Sequence, residues 1–442
     1  MMQKKYRILF YGLLLWLLSI PVAAQDLLQF YELALQRDPV LKQADANRLA
    51  VGESDNQGIA RLLPTLNLSA DHSRNYLNNT KRRPTYQGSG AQAYWNSGFE
   101  LNLTQPVFHW DYWVQLDQAD NQIAQAEALY QAELQNLMMR VAEAYFNILA
   151  EQDNLTFTQA EKNAFASQLE KAEESFKVGM MSMTDVYEAR AAHDRAKADE
   201  IGAKNQVNNS KERLREIVGP IEIEPVPLEQ QLPLRQPEPD NIDAWSQIAE
   251  NQNLNILAVL NEAEVARKTI DLQQSAHYPV VDIVGAYSVT DNDSSFGLRG
   301  DQQRIGVQLN MPLFTGGAIN SRTRQAQHEY EQAREKLTET RRSVDRQVKD
   351  AYRGVITSIS QVEALKVTEI SMQNALEATQ AGFAAGTRTM VDVVRSQQDL
   401  YQAKRDYARS RYDYLINGLK LKQAASIATF QDLESINQLL GK

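Results

Sequence analysis

The chain contains no cysteine, which excludes disulfides, thiolate metal sites and a lipid anchor on an N-terminal cysteine. Histidine is scarce. His72, His109, His193, His277 and His328 are scattered without His-x-x-x-His spacing, so a metal centre has no strong ligand set. There is no nucleophile elbow, and Gly88-Ser-Gly90 lacks the Lys and helix of a phosphate-binding loop. These absences point away from an enzyme and imply no cofactor. Beyond the N-terminus no run approaches 18 consecutive apolar residues, so only a closed strand barrel could carry the chain through a bilayer.

At the N-terminus, Lys4, Lys5 and Arg7 precede an apolar run from Ile8 to Ile20, and Val22-Ala-Ala24 offers small residues for cleavage. Residues 1–24 are therefore expected to be a secretory signal. Without it, 43 Lys and Arg face 56 Asp and Glu, a net charge of −13 that disfavours nucleic acid as a partner.

Glycine and proline are missing from all 68 residues between Asp111 and Val178. The stretch is rich in Ala, Gln, Glu and Leu, and it predicts one helix about 100 Å long at 1.5 Å per residue. Leu134, Met138, Val141, Tyr145, Ile148 and Leu155 keep the 4,3 spacing of a coiled-coil seam. A second such stretch, from Ala318 to Ala381, is broken only by Gly354, with Val348, Tyr352, Val355, Ile359 and Val362 at matching spacing.

The two rods belong to a duplication. At a shift of 207, Val141, Ala144, Tyr145, Phe176, Gly179, Met183, Asp185 and Val186 fall on Val348, Ala351, Tyr352, Phe383, Gly386, Met390, Asp392 and Val393. Pro106 and Phe108 match Pro312 and Phe314 at 206, and Ala34, Pro64, Leu66 and Ser73 match Ala249, Pro279, Val281 and Ser288 at 215. A repeat this long means duplicated domains rather than a solenoid. The first unit is expected over 25–218, with strands at about 64–74 and 93–107 and a helical hairpin at about 111–218. The second is expected over 241–425, with strands at about 279–291 and 303–314 and a hairpin at about 317–425. Between them, 219–240 carries six of the thirteen prolines and reads as a connector, while 426–442 is a less regular tail.

Each rod turns back at a glycine, Gly179 or Gly386, suited to the left-handed conformation after a helix end. Ser182-Met-Thr-Asp185 and Thr389-Met-Val-Asp392 then read as capping-box starts of the returning helices. At the opposite end, the strands alternate strictly: Leu66, Leu68 and Ala70 against Asn67, Ser69 and Asp71, and Ile305, Val307 and Leu309 against Gly306, Gln308 and Asn310. Such alternation over about ten residues marks transmembrane barrel strands. Phe108, Trp110, Tyr112 and Trp113 crowd the junction with the first rod, as an interfacial belt or as packing at the rod base. Four strands cannot close, since the smallest membrane barrels use about eight, so the barrel must be shared between chains.

Gly386-Thr-Arg-Thr-Met-Val-Asp-Val393 and Arg411-Tyr-Asp-Tyr-Leu-Ile-Asn417 resemble the TolC-like family of outer-membrane efflux proteins, and the likeness runs from about Asp26 to Leu440. The resemblance implies a mainly α fold with transmembrane β strands. In it, long coiled-coil hairpins build a trimeric α-barrel tunnel, and four strands per chain join a shared twelve-stranded β-barrel. It places the connector and the tail in an equatorial region. It further implies a bacterial outer-membrane channel extending into the periplasm, a homotrimer in outer-membrane lipid. Such a channel serves a tripartite efflux or type I secretion system, with a periplasmic adaptor and an inner-membrane transporter of the RND, ABC or MFS type. The periplasmic gate maps onto Thr184, Asp185, Phe383, Arg388, Asp392 and Arg395, and adaptor docking onto Gly179 and Gly386. Two departures stand out: Phe383 occupies the place of a hydrogen-bonding tyrosine, and Arg395 that of a second pore aspartate. On the residues alone, Asp185 and Asp392 also serve simply as helix caps. The alternative function is a secreted coiled-coil adaptor or scaffold of the envelope.

Overall fold

The structure is a computed structural model that describes residues 26–79, 90–229, 232–294 and 297–441. The expected signal segment, most of the loop after the first strand and part of the loop near 295 lie outside the described residues. The chain divides into two compact units. One comprises the residues up to Ala44, Tyr130–Leu254 and those from Arg341 on, and the other comprises Asp45–Leu129 and Asn255–Thr340.

The element order shows the duplication directly. Helices α1 (Leu27–Arg37) and α2 (Pro39–Leu62) lead to strands β1 (Thr65–Asn79) and β2 (Gly90–Phe108), then to the long α3 (Trp110–Lys177) and the returning α4 (Met183–Val218). Helices α5 (Ile242–Gln252) and α6 (Leu254–Ser275), strands β3 (Val280–Asn292) and β4 (Arg299–Asn310), and helices α7 (Ala318–Ala384) and α8 (Met390–Ala424) repeat the series. A short α9 (Phe430–Asn437) follows. The paired short helices before each strand pair, and the helix inside the tail, go beyond the sequence reading. β4 stops at Asn310 rather than near 314 because Pro312 has no N–H for the ladder.

In the unit of residues 45–129 and 255–340, the four strands form one antiparallel sheet in the order β1-β2-β3-β4. Register sets rows of apolar side chains on one face: Leu66 opposite Leu103, Leu68 opposite Leu101 and then Tyr287, and Phe99 opposite Val289. Val281 and Ile283 continue the rows against Leu309 and Val307. Most of these side chains are exposed, Leu68 by 69% and Val307 by 72%, with Leu101, Val281 and Val289 half-buried, so the period-two pattern builds an apolar face that no described residue covers fully. Among the described residues, β1 and β4 each pair on one side only. Polar links tie α3 to α6, with the Gln118 amide donating to Thr269 Oγ1 at 2.9 Å and Lys268 Nζ lying 2.7 Å from Asp117 Oδ2. α2 approaches α3 closely at Gly58, where a Cβ would meet Leu116 Cδ1 at 2.9 Å. His109 places Nε2 2.9 Å from Asp282 Oδ1 and links the turn between β2 and α3 to β3.

The other unit holds the main hydrophobic core. Leu27, Phe30 and Ala34 of α1 pack on Met138, Val141, Tyr145 and Ile148, the seam expected from their spacing. The connector and the tail join beside this core: Leu228 bridges Leu440, Gly441 N–H donates to Pro227 O at 2.8 Å, and Tyr145 Oη donates to Val226 O at 2.8 Å. Hairpin α3–α4 is tied to α8 along much of its length by side chains. Lys420 meets Glu143 at 2.8 Å, Arg409 donates to Asn147 at 3.0 Å, Tyr412 Oη to Asp153 at 2.7 Å and Arg405 to Glu161 at 2.8 Å.

Candidate functional site: the hairpin tips

Both rods end in the same hydrogen-bonded stop. Met180 N–H donates to Ser175 O at 2.9 Å and Gly179 N–H to Phe176 O at 3.0 Å, and Thr387 and Gly386 repeat this on Gly382 and Phe383 at 2.9 and 3.0 Å. This is the Schellman pair, which satisfies two carbonyls at the helix end and requires a left-handed residue between them. Gly179 has φ 78° and Gly386 φ 75°.

The returning helices start in the expected capping boxes. Ser182 Oγ accepts from Asp185 N–H at 3.2 Å while Asp185 Oδ2 receives the Ser182 hydroxyl at 2.6 Å. Thr389 Oγ1 accepts from Asp392 N–H at 3.2 Å, and Asp392 Oδ2 receives the Thr389 N–H and hydroxyl at 2.9 and 2.8 Å. The Thr389 N–H, then its hydroxyl, then the nearby Arg388 and Arg395 hold the Asp392 carboxyl below the ordinary carboxylate range. Asp185 and Asp392 are therefore caps in this chain, whatever else they do.

Phe383 has a definite place. Half-buried, it packs against the apolar cluster of Ala172, Val186, Ala189 and Met390, drawn from both hairpins, as do Leu169, Met181 and Val394. The ring thus lies against apolar side chains, where a hydroxyl would need a polar partner. The two tips differ in what they show to solvent. Val178 and Met180 are exposed on the first, at 70% and 82%. On the second, Thr387, Arg388 and Arg395 are exposed, and the Arg388 stem lies across Gly382, where a Cβ would sit 2.8 Å from its Cγ. Thr184 is exposed as well. Within one chain, among the described residues, Arg388 bonds neither Thr184 nor Asp185.

At the far end of α3, Phe108, Trp110 and Trp113 are exposed by 40%, 46% and 53%, while Tyr112 stacks on His109 at 4.3 Å. Trp110 meets the Tyr278 ring edge-on at 6.4 Å. Sequence reasoning missed the links from α3 to α8, because each joins residues far apart in the chain. Glu161, buried beside Arg405, is one of them. Burial pushes its carboxyl above the ordinary range against the pull of the guanidinium. Among the described residues no cluster of His, Asp and Glu is arranged to hold a metal ion.

The profile of the family described as outer membrane efflux protein matches residues 30–220 and 245–426, which follow the two repeats. The outer membrane protein TolC of Vibrio cholerae is 36% identical over 440 residues, covering 98% of both chains. TolC of Escherichia coli is 33% identical over 435 residues, 95% of this chain and 86% of that one. The Campylobacter jejuni outer membrane channel CmeC superposes with a TM-score of 0.79 at 16% identity, over 94% of this chain and 90% of that one. The internally duplicated, mainly α fold with long hairpins and transmembrane strands is thus that of the trimeric outer-membrane channels, with four strands per chain supplied to a shared barrel. The chain belongs to the outer membrane efflux protein family and is an exit duct of the outer membrane that extends into the periplasm.

Proposed function

We propose that three copies assemble into a passive conduit, with no catalysis in the chain and the driving energy supplied by an inner-membrane transporter through a periplasmic adaptor. The observation that carries this reading is the sheet. It has an uncovered apolar face and two unpaired edges, and pooling such sheets from three chains gives twelve strands, enough to close a wall through lipid. Phe108, Trp110, Tyr112 and Trp113 then sit where barrel passes into helices, as a belt at the membrane surface.

The hairpin tips form the periplasmic mouth. Arg388 of one chain links to Asp185 or Thr184 of its neighbour, an exposed charge-assisted contact that costs about 1 kcal/mol or less to break. Adaptor hairpins docking near Gly179 and Gly386 supply that energy, and the tips part. Transporters of the RND, ABC and MFS kinds, and cargo from small molecules to secreted proteins, are compatible with such a mouth. Replacing Arg388→Ala is expected to raise single-channel conductance of the purified protein in planar bilayers. Unchanged conductance would remove Arg388 from the latch.

A further inference from the structure

We propose that β4 of one copy pairs with β1 of the next in the register that β2 keeps with β3, so that Leu309, Val307 and Ile305 stand opposite Ala70, His72 and Arg74 of the neighbouring copy. The proposal rests on the trimeric reading above and adds a register to it. A duplicated strand pair makes two kinds of junction: within a repeat, β1–β2 and β3–β4, and between repeats, β2–β3 and the β4–β1 contact of successive chains. A single chain shows every junction but the last.

The hairpins establish that the repeat preserves register. Moving β1 by 215 positions and β2 by 206, the shifts read from the sequence, turns the observed pair Thr65–Thr104 into Val280–Asn310, which is also observed. The agreement runs without a slip as far as Tyr76–Ala93 and Asp291–Arg299. Applied to β2–β3, the same shifts turn the observed pairs Leu103–Gly285, Leu101–Tyr287 and Phe99–Val289 into Leu309–Ala70, Val307–His72 and Ile305–Arg74. Strand directions alternate along the sheet, so β4 and the next β1 run antiparallel, as β2 and β3 do.

The side chains agree with the carried register. Leu103 lies over Gly285, where a Cβ would sit 3.6 Å from its own Cβ, and Leu309 again meets a small residue, Ala70. Leu101 opposite Tyr287 becomes Val307 opposite His72, an aliphatic side chain against a ring in both. The third row departs from its template: Arg74 stands in place of Val289, and its guanidinium lies over the Trp95 ring of its own chain at 5.5 Å. Edge residues lack the cover of their counterparts, Leu68 being 69% exposed against 38% for Ile283, and Leu309 66% against 40% for Leu103. A slip of one residue would turn one strand's apolar row to the other face. Only slips of two compete, and the internal junction decides among them.

The absence of native cysteine makes the register directly testable. Opposite residues of an antiparallel pair have Cα atoms about 4.5–5.5 Å apart, within disulfide reach, whereas diagonal neighbours two residues along are about 7–8 Å apart. Within one chain β1 and β4 lie at opposite edges of the sheet, so a link between them joins copies. The full-length protein is oxidised in purified outer membranes and run on denaturing, non-reducing gels. Ala70→Cys with Leu309→Cys, and His72→Cys with Val307→Cys, are expected to yield covalent trimers. Their yield should be at least about tenfold above that of Ala70→Cys combined with Val307→Cys or with Met311→Cys. Best linking in a slipped pair would overturn the register. So would a trimer that conducts in planar bilayers yet links through none of these pairs. A chain that neither associates nor conducts would overturn the trimeric reading first and the register with it.

Discussion

At the break between α1 and α2, Asp38 is 1% exposed and accepts both guanidinium arms of Arg140, at 3.0 and 2.9 Å, while its Oδ2 caps Leu41 N–H at 2.7 Å. At the matching break between α5 and α6, Asn253 donates to Ala424 O at 2.9 Å and Ser426 Oγ receives Leu254 N–H at 3.3 Å. The same joint is thus ionic in the first repeat and neutral in the second. The position matching Arg140 is Gln347, which bonds Ser343 on its own helix at 3.0 Å. Duplication preserved the geometry of the joint and let its chemistry diverge. The difference teaches that matched positions in the two halves need not carry matched energies.

The sharpest way to break this comparison is to remove both joints in turn. Asp38→Ala deletes a helix cap and leaves Arg140, among the described residues, with Glu133 as its remaining partner. Because the Arg140 side chain is 33% exposed, the loss is expected near the low end for a broken buried pair, about 3 kcal/mol in denaturant unfolding of the detergent-solubilised channel. Asn253→Ala removes a neutral amide and should cost about 1 kcal/mol. Equal losses would show that the two joints do the same work. The tips offer the opposite expectation. Gly179→Ala and Gly386→Ala force a Cβ into the left-handed region with open space around it, so each should cost about 1 kcal/mol, alike in the two halves.

The smallest effect is the pH dependence that Glu200 brings to the first hairpin. Hydrogen bonds from Lys162 and then Lys204 pull the Glu200 carboxyl from 4.5 down to about 2. A carboxyl lowered in the folded state stabilises the protein above its unfolded pKa and loses that contribution as pH falls through the folded value. Glu200→Gln should therefore be less stable than the parent at pH 7, with the gap closing between about pH 4.5 and about 2. A gap that persists at pH 2 would assign the effect to packing. The second repeat has Tyr407 at the matching position and lacks this carboxyl's contribution there.

The rods, the turns at Gly179 and Gly386, the capping boxes and the strand alternation were legible because each is a local pattern of a few residues repeated many times. The short helices α1, α2, α5 and α6 were not. Pro39, Gly52 and Gly58 interrupt the first pair, whose second helix leans on other helices rather than on a strong apolar stripe of its own. The eight residues of α9 are too few to show a period. Asp38 and Arg140 stand 102 positions apart, and no spacing rule links them. At the site, the sequence identified what Phe383 lacks, whereas only the packing showed where it lies: against an apolar cluster drawn from both hairpins of one chain.

The free margins of β1 and β4 also govern how the protein reaches its membrane. In hydrocarbon an unpaired peptide group costs several kcal/mol, so a lone chain has no stable resting place inside the bilayer. Oligomerisation and insertion must therefore be one coupled event, whose rate depends steeply on how many newly exported chains are at hand. A single copy with a defective β1 margin would spoil the two sound copies it joins, so damage to this strand should be dominant when mixed with intact protein.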